Sequence, residues 1–166
     1  MDFKFGHSFR IIKVRMTTDE QFMREALALA GQSAQAGEVP VGALVVINGA
    51  IAGSGSNSPI ARTDPTAHAE ILAIRQAAAQ LGNYRLTGAT LYCTLEPCVM
   101  CAGALVAARI ERLVFGARDL RFGGVRSKFQ VADSAILNHR VEVVEGVLAV
   151  ECVERLREFF QAQRRR

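Results

Sequence analysis

The chain has 166 residues and a mass of 18.0 kDa, enough for one domain with a filled core. Half of the residues are hydrophobic and 22% are charged, which excludes a disordered or low-complexity protein. No run of about 18 apolar residues could cross a membrane as a helix, and the net charge of +4 is too modest to exclude anything alone.

Residues 1–15 lack an apolar run and a small-residue cleavage site, so they do not read as a secretory signal. Thr17 and Glu20 form a T-x-x-E capping box, and Phe22, Met23, Ala26, Leu27 and Ala30 follow at helical spacing as far as Gly37. A helix opening directly after Met16 marks 1–15 as a disordered or non-native extension and 16–166 as a single domain. Asn48-Gly49 between apolar runs at 41–47 and 50–54 is a hairpin signal. Pro65-Thr66 precedes a helix at about 67–81, which Gly82 ends. A strand at 90–94, a helix at 98–109 and a strand at 112–115 come next. A Gly-rich basic loop, a strand at 141–144 and a helix from about 149 complete the chain. Five strands interleaved with helices predict an α/β fold with one sheet covered on both faces. The 98–109 helix is small and apolar on nearly every side, so it should be buried all round, with a partner subunit if one domain cannot cover it.

The basic charge is unevenly placed. Residues 1–15 carry a net +3, as does the segment 118–128 with Arg118, Arg121, Arg126 and Lys128 against Asp119. Arg164, Arg165 and Arg166 end the chain. Such clusters suit a polyanion, and equally a solvated surface.

The chemistry concentrates in two short motifs. His68-Ala69-Glu70 opens one helix and Pro97-Cys98-Val99-Met100-Cys101 opens the next. Cys98 and Cys101 share one face of a first turn, where the helix dipole favours thiolates. Cys-x-x-Cys alone also fits a redox pair, but that reading leaves His-x-Glu unexplained. One His and two Cys form an N/S ligand set suited to zinc, with a fourth position left for water, as in catalytic sites. Two thiolates offset the charge of Zn²⁺, so the metal acidifies its water less than a His₃ site would, and Glu70 is placed as the base. The four cysteines, Cys93, Cys98, Cys101 and Cys152, are too few for a disulfide scaffold, and a reduced setting is expected. Cys93 reads as a strand residue and Cys152 as core.

H-x-E with P-C-x-x-C is the signature of zinc nucleobase deaminases. Around it stand Glu38-Val39-Pro40-Val41-Gly42-Ala43, Asp64-Pro65-Thr66-Ala67, Asn83-Tyr84-Arg85-Leu86, Thr94-Leu95-Glu96, Phe115-Gly116-Ala117-Arg118-Asp119, Asn138-His139-Arg140-Val141-Glu142 and Phe159-Phe160. From about residue 18 to 164 the chain resembles the bacterial tRNA-specific adenosine deaminases of the cytidine/deoxycytidylate deaminase superfamily.

The resemblance implies a three-layer α/β/α fold with a five-stranded mixed sheet, and a cytoplasmic homodimer with one zinc per subunit. It implies conversion of the wobble adenosine, position 34, of a tRNA anticodon to inosine, chiefly on an arginine tRNA. His68, Cys98 and Cys101 would be the ligands and Glu70 the proton shuttle. Asn57 would hydrogen-bond the flipped base. Val39, Ala69, Asp119, Phe159 and Phe160 would also touch the substrate, although Val39 and the two Phe read equally as core and Asp119 as a loop turn. Arg118, Arg121, Arg126 and Lys128 are the candidates for the RNA backbone. The text at 120–128 departs from the bacterial pattern, and its Arg121-Phe122-Gly123-Gly124 resembles the eukaryotic catalytic subunit. A free nucleobase or nucleoside deaminase shares the zinc chemistry but needs no polyanion surface. A zinc-stabilised RNA-binding module would need no Glu70.

Overall fold

The computed structural model describes residues 17–165; the expected extension at 1–15 and the last arginine lie outside them. In chain order the elements are α1 (Thr18–Gln35), β1 (Gly42–Ile47), β2 (Ala50–Ser56), α2 (Pro59–Arg62), α3 (Ala69–Leu81), β3 (Thr90–Leu95), α4 (Val99–Ala107), β4 (Arg112–Ala117), β5 (Glu142–Glu145) and α5 (Ala149–Arg164). Local signals explain several of them. Thr17 and Glu20 close the capping box with bonds of 3.2 and 2.8 Å. Asn48 and Gly49 both take positive φ, as a tight two-residue hairpin turn requires, and β1 and β2 pair antiparallel across them.

The sheet order is β2-β1-β3-β4-β5; β1 is antiparallel to both neighbours, whereas β3, β4 and β5 run parallel. Period-two alternation builds two cores from this one sheet. Ala43, Val45, Leu91, Cys93, Leu113 and Phe115 face α3 and α4 together with Ala69, Ala73, Ala102 and Leu105. Leu44, Val46, Tyr92 and Val114 face the other way, onto Met23, Ala26 and Leu27 of α1 and Cys152 of α5. The result is the expected three-layer α/β/α arrangement with a five-stranded mixed sheet. Cys93 is a buried strand residue and Cys152 a buried core residue, as read from the sequence.

Glycines set how closely α3 approaches. A Cβ on Gly55 or Gly53 of β2 would collide with the backbone of Ala69 or Ala73, so bare backbone here lets the start of α3 lie directly on the sheet.

The structure also corrects the sequence reading. The four-residue α2 was not expected; Pro59 starts it and Thr63, with φ of +50°, ends it. The α3 and α4 helices begin one or two residues later than expected because His68 and Cys98 are extended N-cap residues. Within one chain, α4 is covered on part of its surface only, the case for which the sequence reading called on a partner subunit. Cys101, Ala102, Leu105 and Val106 are buried, but Val99, Met100 and Ala107 are exposed. No described helix is long and apolar enough to cross a membrane.

Candidate metal centre and substrate cavity

His68 and Cys98 occupy N-cap positions, where a side chain ordinarily accepts a hydrogen bond from its own helix. Neither does so; both side chains turn instead toward each other and toward Cys101 in the first turn of α4. His68 Nδ1 stands 3.7 Å from Cys98 Sγ and 3.5 Å from Cys101 Sγ, and the three donor atoms all lie within 4.8 Å of one another. Zn–S bonds of about 2.3 Å and a Zn–N bond of about 2.0 Å in a tetrahedron place neighbouring donors roughly 3.5–3.8 Å apart. The spacing and the soft N/S donors therefore fit zinc.

The Cys98 thiol is already disposed toward the thiolate that binds metal. The Cys101 thiol donates to Cys98 Sγ, and with His68 alongside it pulls the Cys98 thiol down to about 4. The same bond pushes Cys101 up. Bonding to Cys98 holds the His68 imidazole above its usual value, against the effect of its burial.

Glu70 follows two residues later in the first turn of α3 and is buried. Its carboxylate is not one of the mutually close donor group. Burial pushes its carboxyl up, against the pull of its backbone hydrogen bond and of His68. A buried carboxyl raised in this way is suited to take and return a proton.

His68, Glu70 and Cys98 line a cavity of about 730 Å³, within the usual size range of small-molecule sites. Val39, Val41, Asn57 and Pro59 line it after α1 and β2. Leu95, Glu96 and the run from Arg118 to Phe122 line it after β3 and β4, and Leu156 and Phe160 of α5 complete it. Asn57 is buried; its backbone N–H donates to Val41, while its side-chain amide bonds no described residue. That leaves the amide free to donate to and accept from whatever enters.

The remaining expected site residues divide. Val39, Asp119 and Phe160 line the cavity. Ala69 is wholly buried against Gly55 and lines nothing. Phe159 packs edge-on to Phe160 at 5.4 Å without reaching the cavity itself. Asp119 is both a turn residue and a lining residue, because its Oδ1 accepts from the N–H groups of Arg121 and Phe122.

The four loop cations are not equivalent. Arg118 forks onto Glu145 at 2.7 and 2.9 Å, and Arg126 pairs with Asp133 at 2.9 Å. Arg121 lies over the Phe122 ring, and neither it nor Lys128 forms an ion pair among the described residues. Arg126 and Lys128 line a second, smaller cavity instead. Sequence reasoning assigned no role to Glu96, Leu120, Phe122 or Leu156. Their parts depend on partners brought from elsewhere in the chain, which no local pattern signals.

Residues 16–117 match the cytidine and deoxycytidylate deaminase zinc-binding region. The chain is 52% identical to the tRNA-specific adenosine deaminase of Haemophilus influenzae, over 92% of this chain and 88% of that one. A protein solved in a study of A-to-I editing by tRNA:A34 deaminases at the wobble position superposes with a TM-score of 0.79 and 42% identity, covering 82% of this chain and 99% of that one. Another, solved in complex with 2,6-diaminopurine, gives a TM-score of 0.76 at 27% identity, covering 87% and 83%.

Proposed function

Since this chain belongs to the cytidine and deoxycytidylate deaminase family, among its tRNA-specific adenosine deaminases, we propose that it deaminates the wobble adenosine, position 34, of a tRNA anticodon to inosine. The observation that carries this reading is one cavity lined by His68, Cys98, Glu70 and the free amide of Asn57, with Cys101 buried beside them. His68, Cys98 and Cys101 would hold the zinc. When bound, zinc supplies a Lewis acid that lowers the pKa of water at its open position.

Asn57 orients the base by hydrogen bonds to its polar edge, and Val39, Leu156 and Phe160 enclose the ring. The Glu70 carboxylate accepts a proton from the water that adds to C6. It passes this proton to N1, then takes the proton of the new C6 hydroxyl and gives it to the departing amino group, so that adenosine and water become inosine and ammonia. An anticodon loop presents its base already unpaired, which lowers the cost of drawing it into the cavity. We place the enzyme in the cytoplasm with its tRNA. We also propose a homodimer joined through the open face of α4, because Val99, Met100 and Ala107 are exposed there and a Cβ on Gly103 would meet nothing.

The test is ammonia release, and inosine formation, on an anticodon stem-loop carrying adenosine at position 34, with free adenosine, guanine and cytidine assayed separately as substrates. Turnover is expected on the stem-loop alone; turnover of guanine or cytidine without it would replace this reading by a small-substrate deaminase. Glu70→Ala should keep one zinc per subunit, its melting temperature and its affinity for the stem-loop. Its turnover should fall by at least roughly 10²–10⁴-fold. Cys98→Ala should lose zinc and stability together. Near-normal turnover by Glu70→Ala ends the proton-shuttle assignment.

A further inference from the structure

Glu96, at the sheet end of the cavity, is a buried carboxylate that the proton transfers do not use. Its Oε1 accepts from the backbone N–H groups of Arg126 at 2.6 Å, Ser127 at 2.8 Å and Val125 at 3.2 Å. Its Oε2 accepts from the Asp119 N–H at 3.0 Å and from the Ser127 hydroxyl. Every donor belongs to the connection between β4 and β5. One carboxylate therefore gathers both ends of the segment 119–127, whose amides converge on it as on a bound anion.

Two glycines complete the seat. The Gly124 N–H donates to the Pro97 carbonyl at 2.8 Å, and Gly123 bridges to Cys98. A Cβ on Gly123 would stand 2.5 Å from the Glu96 carboxyl carbon, and one on Gly124 would stand 2.7 Å from the Val99 nitrogen. The segment thus lies against the turn that carries Cys98, with no room for a side chain between. Arg121 and Phe122, fixed in turn by Asp119, project at the cavity.

We propose that Glu96 is a positioning residue for the substrate, its carboxylate setting where Arg121 and Phe122 stand and so governing how the nucleotides around the target adenosine are held. This rests on the RNA-deaminase reading of the cavity. A carboxylate that served stability alone would leave KM for the substrate unchanged when altered. Glu96→Gln keeps the shape but replaces one acceptor oxygen by an NH₂ group facing N–H donors, and removes the charge that the donors share.

The experiment uses the full zinc-loaded chain in three forms: wild type, Glu96→Gln and Ser127→Ala, which removes a single donor. Hydrogen exchange of the amides in 119–127 should speed up at least about tenfold in Glu96→Gln, with α3 and α4 unchanged. KM for the stem-loop should rise by a similar factor, while kcat and zinc content stay within about twofold of wild type. Ser127→Ala should move the same quantities in the same direction by less, and it carries the test if Glu96→Gln does not fold. Unchanged exchange with unchanged KM overturns the proposal, as does loss of kcat and zinc at constant KM. If the wild type leaves the stem-loop unmodified, the RNA reading falls, and with it the substrate role of Glu96; the exchange data then still report whether the carboxylate holds the loop.

Discussion

Arg121 and Arg126 stand in the same loop, yet only Arg121 is open to a phosphate. Arg126 is bound by the Asp133 carboxylate and the Val125 carbonyl. Binding of a single-stranded RNA weakens with salt by a slope of about −0.7 per neutralised phosphate. Arg121→Gln should therefore flatten the slope for stem-loop binding by about that amount, whereas Arg126→Gln should leave it unchanged. Arg126→Gln should instead lower stability by about 1–3 kcal/mol, because it strips the mostly buried Asp133 of its charged partner. Equal slopes for the two variants would contradict this division. At this scale the grouping of His68, Cys98 and Cys101 into one set of donors that could hold a metal was legible in the sequence, since ligand chemistry restricts both residue type and spacing at a helix start. Glu96 was not: a glutamate at a strand end looks the same whether it faces water or five donors. The ion pairs of Arg118 and Arg126 were hidden for the same reason, each partner lying beyond any local window.

The ends of the elements carry much of the organisation. The first turn of α1 is tied to the sheet by Asp19, which accepts two bonds of 2.8 Å from the Arg112 guanidinium and one of 2.8 Å from the Tyr92 hydroxyl. The Arg112 bonds hold the Asp19 carboxyl below its usual range, although its partial burial opposes them. Its folded pKa is thus lower than its unfolded value of about 3.9, so the stability it contributes is present above that value and is lost as pH falls through the folded pKa. Asp19→Asn should cost about 1–3 kcal/mol at pH 7, and the gap to wild type should narrow as melting is followed from pH 5 down to pH 2. A gap that stays constant with pH would mean that packing, not charge, makes the contact. Elements with local signals, such as the capping box of α1 and the Asn48-Gly49 hairpin, could be placed from sequence to within a residue or two. The single-turn α2 could not, because four residues are too few for a hydrophobic period to show.

On the scale of the whole molecule, one sheet face is covered by α3 and α4 and the other by α1 and α5, but α4 covers less than it could be covered by. Gly103 has open space where a side chain would project. Gly103→Glu should therefore leave the isolated subunit folded, while placing a charge in the proposed contact between copies. Light scattering at micromolar concentration should give a dimer for the wild type and a monomer for the variant; a monomeric wild type would remove the homodimer. The layout has a further consequence in mass action. His68 meets Cys98 and Cys101 across 30 and 33 residues, from the starts of two different helices. An unfolded chain offers the two thiols without the imidazole held beside them, so zinc would bind the native state more tightly and the difference in free energy would add to folding. Fold stability then climbs with the logarithm of free zinc, and the concentration of the ion helps to set how much native protein a cell maintains.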